Sequence, residues 1–216
     1  MAAIPSQKED ERRPDEAPSS RVARLKAPDS DVAIVKALRA RHSAGAAGLF
    51  DRYHTHVRRV LLHVLGPDPE LSDLVQEVFV TAIDSIEKLD EPGSLRGWLG
   101  GIAVFTARAR MRRRTRWRII ELRPSEDLPE VEQMSAPPEV DEALRATYRV
   151  LEKLPTEERI AFALRFIDGM ELTDVAGATS VSLSTVKRTL VKAQQRFQKL
   201  AAREPAIGEW LKGGAS

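Results

Sequence analysis

The chain has 216 residues, 34 Lys and Arg against 32 Asp and Glu for a net charge of +2, 42% apolar residues and no cysteine. That length allows one domain or two small ones with real cores, and the missing cysteine excludes disulfides and thiolate metal sites, as suits a reducing cytoplasm. No apolar run approaches the ~20 residues that span a bilayer, and the charged, proline-bearing start is unlike a signal peptide, so no membrane insertion is expected.

Residues 1–28 are rich in Pro, Ser, Glu, Arg and Lys without an apolar period, the composition of a flexible tail. From Asp29 the pattern turns helical, with Val32, Val35, Leu38, Phe50, Tyr53, Val57, Val60, Leu61 and Val64 spaced by three and four up to Gly66-Pro67. Asp68-Pro69 reads as an N-cap and first turn. The stripe Leu71, Leu74, Val75, Val78, Ala82, Ile83, Ile86, Leu89 follows and is broken at Asp90-Glu91-Pro92-Gly93. On the opposite face of that helix lie Asp73, Gln76, Glu77, Val80, Asp84 and Glu87, an acidic surface that repels DNA phosphates and so faces something else.

Ser94 is placed to cap a third long helix with the stripe Leu95, Trp98, Leu99, Ile102, Ala103 and Thr106, which assigns Trp98 to the core. Its far end is ARARMRRRTRWR, Ala107 to Arg118. Arg108, Arg110, Arg112, Arg113, Arg114, Arg116 and Arg118 there can neutralise phosphates, and Phe105 or Trp117 can stack on a base. Such a cluster also describes a nonspecific RNA-binding patch. These elements make a domain over 29–118.

Residues 119–139, with Pro124, Pro129, Pro137 and Pro138 and an acidic excess, read as a linker. In the second domain, 140–202, Val140, Leu144, Thr147, Val150, Leu151 and Leu154 predict a helix up to Pro155. Thr156 can cap the next one through Ile160, Leu164 and Ile167 to Gly169. Leu172 to Thr179, the turn Ser180-Val181-Ser182 and a basic helix from Leu183 to about Ala202 outline a helix-turn-helix. Ala176 is the small residue at the crossing, Val175, Val181, Val186 and Leu190 face the core, and Ser180 takes the left-handed turn. Ser182 caps the second helix, which then offers Ser184, Thr185, Lys187, Arg188, Val191 and Lys192 to a major groove. A helical hairpin with a solvated basic face fits the same spacing. Arg203 to Ser216 is a C-terminal tail containing Trp210. No strand pattern is present, so the fold class is all-α with two small helical domains.

The two domains together resemble the sigma-70 superfamily, specifically the compact extracytoplasmic-function sigma factors that carry regions 2 and 4. The resemblance rests on DLVQEVFVTAI (Asp73 to Ile83), SLRGWLGGIA (Ser94 to Ala103), LEKLPTEERIAFALRFIDGM (Leu151 to Met170) and the helix-turn-helix from Leu172 to Ala193. It implies a transcription initiation factor that binds core RNA polymerase, at the largest subunit's coiled coil and the flap, and promoter DNA. Polymerase binding then falls on Asp73, Gln76, Glu77, Val80 and Asp84. The minus-ten element falls on the loop Lys88 to Ser94 and on Phe105, Arg108, Arg112, Arg113, Arg116 and Trp117. The minus-thirty-five element falls on Ser184, Thr185, Lys187, Arg188, Val191 and Lys192. An anti-sigma factor is the further partner the family implies. The linker carboxylates Glu121, Glu126, Asp127, Glu130 and Glu132 either imitate nucleic acid inside the polymerase or merely solubilise the linker. The chain departs from the family pattern at Val104-Phe105, where Arg-Asn is usual, at Ala109, where Asp is common, and at Val191, where an aromatic is frequent.

His54, His56 and His63 have no carboxylate at ligand-like spacing, and no phosphate loop or nucleophile motif is present. Neither metal, cofactor nor enzymatic activity is therefore expected. The rival function is a stand-alone helix-turn-helix regulator whose N-terminal helices dimerise, for which the acidic face has no use.

Overall fold

Ser30 accepts a hydrogen bond from the Ala33 N–H and so caps the first helix, α1, Asp31–Arg39. The structure, a computed structural model, describes residues 28–121 and 138–207, with side chains over 28–116 and 142–207. Arg41 is in the left-handed region (φ 57°), and the His42 N–H reaches back to the Ala37 carbonyl, a Schellman ending. The continuous helix expected from Asp29 to Val64 is therefore two, α1 and α2, Ser43–Leu65. Arg41 stands where glycine usually marks such a stop, so the apolar period runs across the break unannounced.

Gly66 ends α2 with φ +71°, and a Cβ there would lie 2.7 Å from the Tyr148 ring, so both its conformation and its packing require glycine. α3 is Leu71–Asp84 and ends earlier than the predicted stripe, whose tail Ile86–Lys88 is a short 3-10 turn. Asp68 does not cap α3 directly; it accepts the Glu70 N–H and points into the protein. Likewise Ser94 lies in the 3-10 turn Pro92–Ser94, its hydroxyl donating to the Glu91 carbonyl, and the long α4 starts at Leu95 and runs to Glu121. α1 to α4 enclose Ile34, Leu49, Val57, Leu61, Leu74, Val78, Leu95, Leu99 and Val104, all essentially inaccessible.

α5 is Pro138–Glu152 and α6 is Thr156–Phe162; α4 and α5, which flank the expected linker, both extend into it. α6 continues as a π-helical turn, Ala163–Ile167, to Gly169 (φ +80°). α7, Leu172–Thr179, and α8, Leu183–Ala201, form the helix-turn-helix. Ser180 is left-handed as expected (φ 57°), with the Val181 N–H on the Ala176 carbonyl. Val175, Val186 and Leu190 are buried, whereas Val181 is 39% exposed because the turn lifts it off the core. Val32, Phe50, Ile83 and Leu144 also lie exposed despite belonging to the predicted stripes. Part of the C-terminal tail is packed, since Ile207 sits against Ala146 and Val150. Trp210 lies outside the described residues.

The two predicted domains share one core. Ile160, Leu164, Val175 and Leu190 belong to the same buried cluster as α1 to α4, and Gly101 of α4 faces the Ala178 carbonyl of α7. The described residues are all-helical apart from turns, and none of their helices is long and apolar enough to cross a membrane.

Candidate nucleic-acid interface

α4 buries Leu95, Leu99, Ala103, Val104, Ala107 and Met111, which fixes where its arginines point. Arg110 forks onto both Asp68 carboxylate oxygens at 3.0 Å and onto Glu70 at 2.6 Å. Arg114, one turn on, lies 3.8 Å from the same Asp68 and 3.9 Å from Glu152. Burial raises the Asp68 pKa, but hydrogen bonds from Arg110 and the Glu70 N–H, with the Arg114 charge, outweigh it and hold the group below the ordinary aspartate value. Arg108 makes a bidentate pair with Glu157, both bonds at 2.9 Å, and Arg113 lies 3.6 Å from Glu77. Arg112 and Arg116, four apart on another face, are exposed and have no ion-pair partner among the described residues. Trp117, Arg118 and the linker carboxylates from Glu121 to Glu132 lie outside the described side chains.

Val104 is inaccessible, so of the two departures from the family pattern at this point only Phe105, 60% exposed, presents a side chain to solvent. Before α4, Lys88, Leu89, Asp90, Glu91, Ser94 and Trp98 line a concavity of about 340 Å3. Trp98 also packs against the core, as predicted, and so serves both surfaces. A larger cleft, about 840 Å3, lies between α4 and the turn leading into α7, lined among others by His56, Arg96, Trp98, Phe105, Asp168 and Asp174. Both ring nitrogens of His56 are buried and have no hydrogen-bond partner among the described residues. Burial, then the charges of Arg96 and Arg59, push its pKa down, so it is held neutral. His63 instead pairs with Asp168, 2.9 Å away. Among the described residues no cluster of His, Asp and Glu could hold a metal.

On α8, the Ser182 hydroxyl accepts the Thr185 N–H at 3.3 Å and fixes the helix start. Ser184, Lys187, Arg188, Val191 and Lys192 are exposed and Thr185 half-buried, which brings all six predicted residues to one end of one helix. None of the three cations has a carboxylate partner among the described residues. On α3, Asp73, Gln76, Glu77, Val80 and Asp84 are all exposed on the face away from the core. Val80, 58% exposed, is the one large apolar side chain among the carboxylates of that face.

Two family models match the chain: sigma-70 region 2 over residues 49–117 and sigma-70, region 4 over residues 144–196. The chain belongs to the sigma-70 family. Its curated relatives are extracytoplasmic-function sigma factors, so it is a sigma factor of that branch, a class that directs transcription initiation. SigE of Mycolicibacterium smegmatis is 28% identical over 161 residues, 72% of this chain and 61% of that protein. SigX of Bacillus subtilis is 28% identical over 151 residues, 65% of this chain and 75% of its own. The chain thus spans about three fifths of one relative and three quarters of the other. Among solved structures, a sigma factor RpoE from Bartonella quintana, in complex with the anti-sigma factor NepR, shares the fold, with a TM-score of 0.56 at 19% identity over 72% of this chain and 95% of that one.

Regions 2 and 4 thereby coincide with α2 to α4 and with α5 to α8. Missed in the sequence were Glu157 and Asp168, region 4 carboxylates that occupy region 2 cations, and the concavity beside Trp98. For Glu157 and Asp168 no local signal exists, since their partners lie 49 residues or more away.

Proposed function

We propose that this sigma factor binds core RNA polymerase through the exposed face of α3 and directs it to two-part promoters, reading the minus-thirty-five element with α8 and the minus-ten element around α4. The observation that carries the reading is the pairing, in one chain, of an acidic face around Val80 with a recognition helix whose Lys187, Arg188 and Lys192 have no carboxylate partner among the described residues. The first suits a basic protein groove and the second a major groove. On this reading side-chain chemistry suits Arg188 to a guanine edge and Val191 to a thymine methyl, with Lys187 and Lys192 on phosphates. The concavity of about 340 Å3 beside Trp98 is at the small end of the range for ligand sites, and an unstacked base is the ligand this reading assigns to it. Arg112 and Arg116 supply phosphate contacts next to Phe105.

Catalysis belongs to the polymerase on this reading, and the protein acts in the cytoplasm without metal or cofactor. By analogy with the NepR complex, an anti-sigma factor is its regulatory partner. Mixing the purified chain with core polymerase should give co-elution and run-off transcription from a selected two-part motif in a random promoter library. Charge reversal at Asp73, Glu77 and Asp84 should abolish both. DNA binding by the chain alone, with no affinity for core, would replace this reading with that of a stand-alone regulator.

A further inference from the structure

Four glycines sit inside helices at positions where packing does not ask for them. A Cβ on Gly100 of α4 would meet only the His56 Nε2, at 3.7 Å, and one on Gly101 only the Ala178 carbonyl oxygen, at 3.8 Å, both ordinary contacts. At Gly97 of α4 and Gly177 of α7 nothing lies within 4 Å of the place a Cβ would take. Glycine is the costliest helix residue after proline, so the four weaken their helices although no close packing contact requires them. What they share is the cleft of about 840 Å3 between α4 and the turn leading into α7, which all four line. Any larger residue at these positions would narrow it.

The other walls have the chemistry of a ligand site. Trp98, Ile102 and Phe105, spaced by four and three along α4, give the cleft an apolar and aromatic side. His56 also lines it, 8% exposed and with neither ring nitrogen hydrogen-bonded among the described residues. A polar group buried in that way is costly unless something bonds to it. Its imidazole is neutral and so carries one donor and one acceptor, with no protein partner to fix which nitrogen holds the proton. Among the charged lining residues Asp168, Glu171 and Asp174 outnumber Arg59 and Arg96, and Asp168 already holds Arg59 at 2.8 Å, which disfavours a phosphate-bearing ligand. The volume falls within the ~300–1,000 Å3 of small-molecule sites. We propose that this cleft binds a flat heteroaromatic small molecule without net negative charge, its ring stacked on Trp98 or Phe105 and a polar edge hydrogen-bonded to His56. The site does not depend on the sigma-factor reading, and its test needs neither polymerase nor DNA.

Calorimetric titration of the full chain with adenosine, a neutral ring, and with 4-aminoquinoline, a cationic one, should give a Kd below about 1 mM for at least one of them. AMP, which adds a phosphate to adenosine, should bind at least tenfold more weakly than the tighter of the two. Gly177→Leu and Gly97→Leu each push a side chain into the cleft where no atom stands within 4 Å, so each should weaken binding at least tenfold with the thermal midpoint unchanged. His56→Leu, which removes the hydrogen bond, should weaken it several-fold. Binding that survives both leucine variants puts the ring elsewhere, the smaller concavity beside Trp98 included, and overturns the proposal. So does a failure of both rings to bind, which would leave His56 to water, and so does AMP binding as tightly as the uncharged or cationic ring, which would make the cleft an anion site.

Discussion

α4 and α8 carry the two densest basic stretches of the described chain, yet they use their cations in opposite ways. On α4, Arg108, Arg110, Arg113 and Arg114 are each within ion-pair distance of a carboxylate from another element. On α8, Lys187, Arg188 and Lys192 have none among the described residues, and only Arg196, two turns beyond Arg188, is tied, to Glu158. A run of like charge is therefore not yet a surface: an arginine that lies over the chain's own carboxylates is a staple, and one that lies over solvent is left to meet a partner. The helical period sorts them, Arg110 and Arg114 falling on the Asp68 side and Arg112 and Arg116 on the far side.

The comparison breaks most visibly at the staple. Arg110→Ala leaves the fully buried Asp68 carboxylate with the Glu70 N–H and, for countercharge, the more distant Arg114, and should cost about 3 kcal/mol in denaturant unfolding, with a parallel loss for Asp68→Ala. Next, Arg188→Ala should weaken minus-thirty-five binding by about 1–3 kcal/mol and relax specificity at one base pair, with stability unchanged. Lys187→Ala and Lys192→Ala should instead lower the salt slope of DNA binding by about 0.9 each. If Arg110→Ala altered DNA binding without destabilising the fold, the division between the two helices would be wrong.

A third measurement uses pH. His56 is protonated in the unfolded chain below about pH 6.5, while the folded protein holds its pKa lower. Its contribution is complete above that pH and is lost as pH falls toward the folded value, by at most ~1.4 kcal/mol per pH unit. His56→Leu should flatten that part of the stability curve relative to the parent chain. The smallest effect belongs to Arg113→Ala, under about 0.5 kcal/mol, because its pair with Glu77 spans 3.6 Å and both side chains are about half exposed.

Helix content, the helix-turn-helix and the family were legible in the chain, because apolar spacing, Gly66, Ser182 and the motif residues act over a few positions. Two boundaries were not. The break between α1 and α2 falls on Arg41, a left-handed residue without glycine to announce it, and the end of α3 precedes the end of its apolar stripe because Ile86 and Leu89 are buried from a 3-10 turn and the loop that follows it. Of the candidate site, the α3 and α8 faces could be read directly, since each is one side of a single helix and periodicity alone defines it.

By itself the sequence determined the elements, their apolar faces, the order of regions 2 and 4 and the identity of the exposed residues on α3 and α8. The tertiary structure alone decided which arginines are spent on Asp68 and Glu157, that Val104 is core while Phe105 is surface, and that region 4 closes onto region 2. The physical reason is range. Backbone propensity and helical period act between near neighbours, whereas a carboxylate 42 residues from Arg110, or 49 from Arg108, becomes its partner only when packing brings the two helices together.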